Sequence, residues 1–156
     1  MFRIARLAFA ANPFDGEGSY RFGGRWSSPG TRVVYTAEHL SLAMLEYLAH
    51  LDPNYRPDDL VLAQAEIPDG LERIRLRAAD LPEAWNRYPA PAELAAIGDR
   101  FVLDAKVAIL IVPSVLAPTE DNWLLNPAHS DFGSIRILAI EPFQYDRRLI
   151  SWSQNT

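Results

Sequence analysis

The sequence predicts a single compact α+β domain, in which a mixed or antiparallel sheet forms the core and helices flank it. The chain has 156 residues, the size of one ordinary domain. Its hydrophobic fraction of 49% is enough to bury a continuous core without a metal or a disulfide. Segments with strand character outnumber those with helix character, and no repeat or linker divides them. We therefore expect residues 1–156 to form one domain.

Four strands are predicted from apolar runs and from period-2 alternation of apolar residues. Alternation is clearest in the second of them, and the third is a continuous apolar run, which is typical of a buried strand. The prolines of Pro53–Asp59 and of Tyr88–Pro91 predict surface connections. The predicted strands are Arg32–Thr36, Val61–Ile67, Val107–Val112 and Ile135–Ile140.

A helix is predicted to begin at a Thr36 cap and to continue to His50. On a helical projection its apolar residues cover nearly the whole circumference, so we expect it to be buried. Glu46 then lies on a narrow polar stripe with His39 and His50. A carboxylate in such surroundings either reaches solvent along the stripe or is retained for a partner, a ligand hydroxyl or a cation. The expected core face is Leu40, Ala43, Met44, Tyr47, Leu48 and Leu51, with Leu42, Leu45 and Ala49 opposite.

Two shorter helices are predicted in the second half of the chain. Asp80 is a suitable cap for a helix that starts at Leu81-Pro82. Pro91 is suited to the first turn of a helix that reaches about Leu103. Both segments follow polar or proline-rich stretches, so each helix is expected to lie between loops.

Composition excludes several classes of function. The chain has no cysteine, which rules out a disulfide framework and a cysteine nucleophile and suits a cytoplasmic protein. Fifteen basic residues against twenty acidic ones give a net charge of −5, which argues against direct binding of nucleic acid. No signal peptide and no long apolar run is evident, so neither secretion nor membrane insertion is expected.

The polar stripe of the first helix also permits a metal hypothesis. Glu46 and His50 are four residues apart, and imidazole with carboxylate is a ligand set that suits zinc. The sequence lacks an HExxH pattern, and the remaining histidine is His129. We therefore expect no metal site.

A glycine-rich segment precedes the first strand. Residues 16–30 contain five glycines, which allow tight turns and close approach of the backbone to a ligand, but they match neither a phosphate loop nor a dinucleotide fingerprint. Arg25 in this segment could bind a phosphate with its bidentate fork or stack on Trp26. Tyr35, at the end of the strand, could stack on a planar ring or serve as a core aromatic.

Several motifs, taken in order, resemble the RES domain family. The resemblance covers nearly the whole chain, and it is the order and spacing of the motifs that make it specific. One departure is Ser27, where family members usually have asparagine. The matching motifs are Gly16-x-Gly18, Gly23-Gly-Arg-Trp26, Val34-Tyr-Thr36, Ser41-Leu-Ala-x-Leu-Glu46, Val112-Pro-Ser114, Asn122 with Leu124-Leu-Asn-Pro-x-His129, and Phe143 with Asp146-Arg147.

The resemblance implies a fold similar to that of ADP-ribosyltransferases, cleavage of NAD at the nicotinamide–ribose bond, and growth arrest by the free protein. It also implies a partner, an Xre-like helix-turn-helix antitoxin that neutralises the toxin in a hetero-oligomer. The arginine, glutamate and serine of the family name match Arg25, Glu46 and Ser114, with Ser134 as the alternative serine. These three are the expected catalytic residues.

NAD is the expected substrate, held by Arg25 together with Gly24, Trp26, Ser27 and Tyr35. In this hypothesis Glu46 stabilises the ribose, Arg25 clamps the pyrophosphate and Tyr35 stacks on nicotinamide, while Ser114 orients Glu46 or the ribose. The acceptor is left open among water, phosphate and a protein side chain of a host metabolic enzyme. An alternative from another class is a non-catalytic binding module anchored by Trp26, Trp85, Trp123 and Trp152.

Overall fold

The computed structural model describes residues 1–52 and 57–150 and consists of seven strands and four α-helices in these ranges. Three 3₁₀-helices, Leu7–Phe9, Ala78–Asp80 and Ser130–Ser134, lie between them. The strands are β1 (Phe2–Arg6), β2 (Val34–Ala37), β3 (Leu60–Glu66), β4 (Arg73–Arg75), β5 (Ile109–Pro113), β6 (Asp121–Leu125) and β7 (Arg136–Phe143). The α-helices are α1 (Glu17–Phe22), α2 (Leu40–Ala49), α3 (Ala92–Asp104) and α4 (Arg147–Ile150).

All seven strands belong to one sheet in the order β4-β5-β6-β2-β1-β3-β7. The β4–β5 pair is parallel and the other neighbours are antiparallel, so the predicted α+β class with a mixed sheet is confirmed. Between β1 and β2 the register within the described residues consists of Phe2 opposite Ala37. The sheet is therefore nearly divided in two at this point, where the Arg3 guanidinium donates a hydrogen bond to the Tyr35 carbonyl.

Both faces of β2 and β6 are buried. Trp123 and Leu125 point into one cluster, and Leu124 points into another that includes Trp26 and Leu94 of α3. This follows from the alternation of side chains along a strand, since neighbours in sequence face opposite sides of the sheet. Burial on both sides fixes β6 and β2 firmly, and these strands carry part of the site described below.

The first helix was predicted to begin at a Thr36 cap and to be buried apart from its polar stripe, and both predictions are wrong: Thr36 lies in β2, α2 begins at Leu40, and one side of α2 is exposed. Leu45 is 47% exposed and Ala49 is also exposed, because α2 packs on β1 and β2 with one side and faces solvent with the other. The predicted core face is confirmed for Ala43, and Met44 packs against the core as expected. Leu42, which was expected opposite, is buried against Ala37. Tyr47 and Leu48 of the predicted face also pack against the core, so the buried face is the predicted one extended to include Leu42.

The glycine-rich segment contains a helix that the sequence analysis did not predict. Gly16 caps α1 at its start with a left-handed φ of 70°, and Gly23 follows it with a φ of 69°. These are conformations that a side chain disfavours. The two glycines thus delimit a helix of six residues instead of forming one continuous loop.

The helix predicted after Asp80 is also wrong. Leu81 has an extended backbone, with φ −104° and ψ 159°, because the following Pro82 disfavours the helical conformation. Asp80 instead ends a 3₁₀-helix, and its side chain accepts a hydrogen bond from the Arg77 backbone at 2.8 Å. The predicted helix after Pro91 is confirmed as α3, which ends one residue later than expected.

The four predicted strands are confirmed as β2, β3, β5 and β7, with shifted ends. β1, β4 and β6 were not predicted, because they are short or contain polar residues. Part of the predicted connection at Pro53–Asp59, residues 53–56, lies outside the described residues. No helix of the described chain has both the length and the hydrophobicity needed to cross a membrane.

Two of the four tryptophans are not available to anchor a partner. Trp26 is 2% exposed and Trp123 is 7% exposed, so both are core residues. Trp85 is partly buried against the cluster that contains Trp26. Trp152 lies outside the described residues. The two buried side chains cannot anchor a partner without unfolding the core.

Candidate functional site

A carboxylate held by two side-chain donors forms the centre of the candidate site. Glu46 lies in α2 and is partly buried. Its Oε1 accepts hydrogen bonds from Ser114 Oγ at 2.9 Å and from Asn122 Nδ2 at 2.5 Å. The Oε2 atom has no hydrogen bond with any residue that the structure describes. One oxygen of the carboxylate is thus fixed and the other is left for a ligand.

Ser114 follows the last residue of β5 and is fully buried. Its backbone N–H donates to the Glu120 carbonyl, which closes the loop between β5 and β6. Ser134, the alternative serine of the family name, is exposed at the end of a 3₁₀-helix. The structure therefore brings Ser114 to Glu46 and leaves Ser134 away from it.

Arg25 is held on the protein by backbone carbonyls. Its Nη1 donates to the Trp85 carbonyl at 2.7 Å and to the Arg87 carbonyl at 3.1 Å, so the guanidinium is oriented by this loop instead of by stacking on Trp26. Partial burial lowers the pKa of Arg25, and the Glu46 carboxylate opposes this effect. The two opposite charges therefore lie within electrostatic reach of each other. Nη2 and Nε make no hydrogen bond in the described part of the chain and can take an anion.

The Tyr35 hydroxyl fixes the turn that carries Arg25. It accepts a hydrogen bond from the Trp26 backbone N–H at 3.0 Å and shares another with Ser27 Oγ at 2.9 Å. Gly24 makes room for this arrangement, since a Cβ there would lie 2.6 Å from the hydroxyl oxygen. Burial raises the pKa of Tyr35, so the hydroxyl keeps its proton at neutral pH.

Trp26 and Ser27 were expected to contact NAD, and the structure places both side chains inside the protein. Trp26 is 2% exposed and Ser27 is 1% exposed. In both residues, only backbone atoms could contact a ligand directly. Both instead stabilise the turn, since the Tyr35 hydroxyl binds each of them.

We expect Tyr35→Phe to lower the free energy of unfolding by about 1–3 kcal/mol. The substitution removes the hydroxyl that satisfies the Trp26 N–H and Ser27 Oγ, and a buried polar group without a partner is costly. Urea unfolding followed by tryptophan fluorescence measures the change.

Tyr88→Phe is the matched control, because Tyr88 is 88% exposed and its hydroxyl contributes little to the folded state. The control is expected to match the wild type within about 0.5 kcal/mol. Equal stabilities of the two variants would contradict the role given to the Tyr35 hydroxyl.

The histidines of the predicted polar stripe do not join Glu46. His39 is exposed, and its Nδ1 lies 3.1 Å from Oε2 of Glu120, while His50 is exposed at the end of α2. His129 accepts a backbone hydrogen bond from Asp131 N at 3.0 Å and caps a 3₁₀-helix. In the part of the chain that the structure describes, no three side chains of the metal-binding types converge.

Two residues of the site were not assigned a role from the sequence. Asn122 was quoted within a motif, but its position opposite Glu46 depends on the register of β6, a strand that was not predicted. Arg3 donates from Nη1 to the Tyr35 carbonyl at 2.9 Å, across the gap between β1 and β2. Asn122 stands directly before the apolar residues Trp123–Leu125, and this position at the start of a strand is the signal that could have identified it.

Comparison with known proteins agrees with the motifs. The family model described as RES domain matches residues 1–146. A protein named Toxin Res from Yersinia enterocolitica is 36% identical over 151 residues, covering 96% of this chain and 98% of that one. A protein named Prs ADP-ribosylating toxin from a Sphingobium species is 35% identical over 152 residues, covering 95% and 94% of the two chains.

A further relative and a solved structure extend the comparison. A Toxin Res from Pseudomonas putida is 38% identical over 137 residues, covering 86% of this chain and 91% of that one. Among solved structures, a chain of the M. tuberculosis MbcT–MbcA toxin–antitoxin complex superposes with a TM-score of 0.71 at 18% identity. That match covers 99% of this chain and 88% of the other, so the two share a fold.

Proposed function

Because the chain belongs to the RES domain family, we propose that it is the toxin of a toxin–antitoxin pair and cleaves NAD at the nicotinamide–ribose bond. The observation that carries the proposal is the Glu46 carboxylate, fixed through Oε1 and unoccupied by described residues at Oε2. In this proposal residues 1–156 form one RES domain that acts in the cytoplasm. The three relatives reported above are all named as toxins, which supports the proposal that this chain is a toxin.

Glu46 suits the charge that develops during this reaction. When the nicotinamide–ribose bond breaks, the electron pair leaves with nicotinamide and positive charge develops on the ribose. An ionised Glu46 that accepts a hydrogen bond from the 2′-hydroxyl through Oε2 stabilises this charge more in the transition state than in the ground state. Ser114 and Asn122 hold the carboxylate in place beforehand, so little reorganisation is needed.

Arg25 and Tyr35 take the substrate-holding roles in this proposal. Arg25 binds the pyrophosphate through Nη2 and Nε, since Nη1 already holds the Trp85 and Arg87 carbonyls. Tyr35, whose hydroxyl is engaged by the turn, offers its ring to nicotinamide. Gly24 contributes by making room for the Tyr35 hydroxyl, which fixes the turn that carries Arg25. No metal has a role in this chemistry.

A second candidate is mono-ADP-ribosylation of a protein, with the same bond broken and a side chain of a host metabolic enzyme as acceptor. It is favoured by the Sphingobium relative, whose name describes it as an ADP-ribosylating toxin. The first half of the reaction is identical in both cases, so Glu46 and Arg25 keep their roles.

We propose that the neutralising partner is an Xre-like antitoxin with a helix-turn-helix, bound in a hetero-oligomer. The similarity to a chain of a toxin–antitoxin complex supports the presence of a partner. DNA binding then belongs to the antitoxin, in keeping with the net charge of −5 of this chain.

The test follows NAD labelled in its adenylate half, incubated with the purified chain in the presence and absence of phosphate and of cell lysate. Intracellular NAD is measured in parallel after induction without an antitoxin. Label in free ADP-ribose means hydrolysis, and a phosphate-dependent product means phosphorolysis. Label on a protein means the transferase. Intact NAD under all conditions, with folded protein and no growth arrest, would overturn the proposal and favour the non-catalytic binding module.

A further inference from the structure

We infer that Asn122 is a positioning residue that fixes the orientation of the Glu46 carboxylate, so that Oε2 is the oxygen presented to substrate. The inference rests on the proposed function, because it gives Asn122 a part in the same reaction. It adds to the arginine, glutamate and serine of the family name a residue whose amide is required as a hydrogen-bond donor.

The direction of the hydrogen bonds at Ser114 is the first step. Ser114 Oγ accepts from the backbone N–H groups of Leu116 and Ala117, each at 3.1 Å. A hydroxyl has two lone pairs and one proton. Since both lone pairs are engaged, the proton points to Oε1 of Glu46. Ser114 is therefore a committed donor and cannot accept a proton from the carboxyl group.

Asn122 supplies the second donor to the same oxygen. Its backbone lies in β6 between Val112 of β5 and Ala37 of β2, so two neighbouring strands fix its position. Its Nδ2 donates to Oε1 at 2.5 Å. One donor would leave the carboxylate free to rotate about its last bond, whereas two donors that reach Oε1 from different strands define its plane. Oε2 is thereby directed away from both donors.

The amide is chemically specific for this role. An aspartate at the same place has nearly the same shape but is ionised at neutral pH, and it would repel Glu46 instead of donating to it. When the introduced carboxyl group takes up a proton at lower pH, it can again donate a hydrogen bond to Glu46. Asn122→Asp should therefore regain activity on acidification, which a loss of packing alone would not produce.

The experiment compares steady-state NAD consumption by the wild type, Asn122→Ala, Asn122→Asp and the exposed control Asn12→Ala. We expect Asn122→Ala to lower kcat by about 10- to 100-fold, the equivalent of one charge-assisted hydrogen bond. Its KM for NAD should stay within about twofold, because ground-state contacts are kept. Asn122→Asp should be similarly slow at pH 7.5 and should approach the wild type as pH falls toward about 4.5. Asn12→Ala should match the wild type.

Two results would overturn the inference: an Asn122→Ala variant with wild-type kcat, or equal losses in both Asn122 variants with no recovery on acidification. A wild type that leaves NAD intact both alone and with cell lysate instead refutes the proposed function, and a crystal structure of Asn122→Ala then decides the positioning role. A Glu46 carboxylate that has rotated away from Ser114 supports it, and one that superposes on the wild type overturns it.

Discussion

Glu46→Gln is expected to reduce NAD cleavage by about 10²–10³-fold while leaving the protein folded. Ser114 and Asn122 both donate to Oε1, so the glutamine carbonyl oxygen must take that position. The glutamine NH₂ then occupies the place of Oε2. The group that faces the ribose changes from an ionised acceptor to a neutral donor, and the transition state loses its stabilising charge. Initial rates of nicotinamide release from NAD measure the loss.

Glu93→Gln is the control for removal of a helical glutamate, because Glu93 is exposed in the first turn of α3. It should retain the wild-type rate. Thermal unfolding of Glu46→Gln is expected within about 3 °C of the wild type, since both donors keep an acceptor. Wild-type turnover by a folded Glu46→Gln protein would show that Glu46 does not stabilise the transition state. Another group near Arg25 would then have to do so.

Elements that depend on local patterns could be predicted from the sequence. The continuous apolar run of β5 and the alternation of apolar residues in β3 predict strands, and Pro91 predicts the start of α3. The elements that were missed depend on tertiary contacts. β6 carries Asp121 and Asn122 within it, and these polar residues are tolerated because they lie where the strand meets Arg75 and Glu46.

In the candidate site, too, local motifs predict some features and tertiary contacts determine the others. The motifs predicted Arg25, Tyr35 and Glu46 as site residues. Their spacing does not reveal which atoms of these residues form hydrogen bonds within the protein. The Tyr35 hydroxyl is used by the turn and Arg25 Nη1 by two carbonyls, so less of each side chain remains for substrate than the sequence implies. The bond between Asn122 and Glu46 joins residues 76 apart and requires the register of the sheet. No local rule supplies that register.

Gly98→Ala is expected to destabilise the protein by about 3 kcal/mol, corresponding to a fall in Tm of roughly 6–12 °C. Gly98 lies in α3 against the backbone of Trp26, and a Cβ there would overlap the Trp26 carbonyl oxygen and lie 2.8 Å from the carbonyl carbon. Backbone atoms cannot move aside as a flexible side chain can, so the helix must shift as a whole. The adjacent Asp99, which accepts from the Ser28 N–H at 2.9 Å, would shift with it.

Gly18→Ala is the matched control, because Gly18 is also helical and a Cβ there meets nothing within 4 Å. Alanine lowers the conformational entropy of the unfolded chain relative to glycine. The free energy of unfolding of this variant should therefore rise by about 0.5–1 kcal/mol. The contrast in sign separates a steric effect from helix propensity, which would favour alanine at both positions. Since α3 supports the turn that carries Arg25, Gly98→Ala should also weaken NAD binding. A Gly98→Ala protein as stable as the wild type would show that α3 and the turn at Trp26 are packed loosely enough to accept a Cβ at this position.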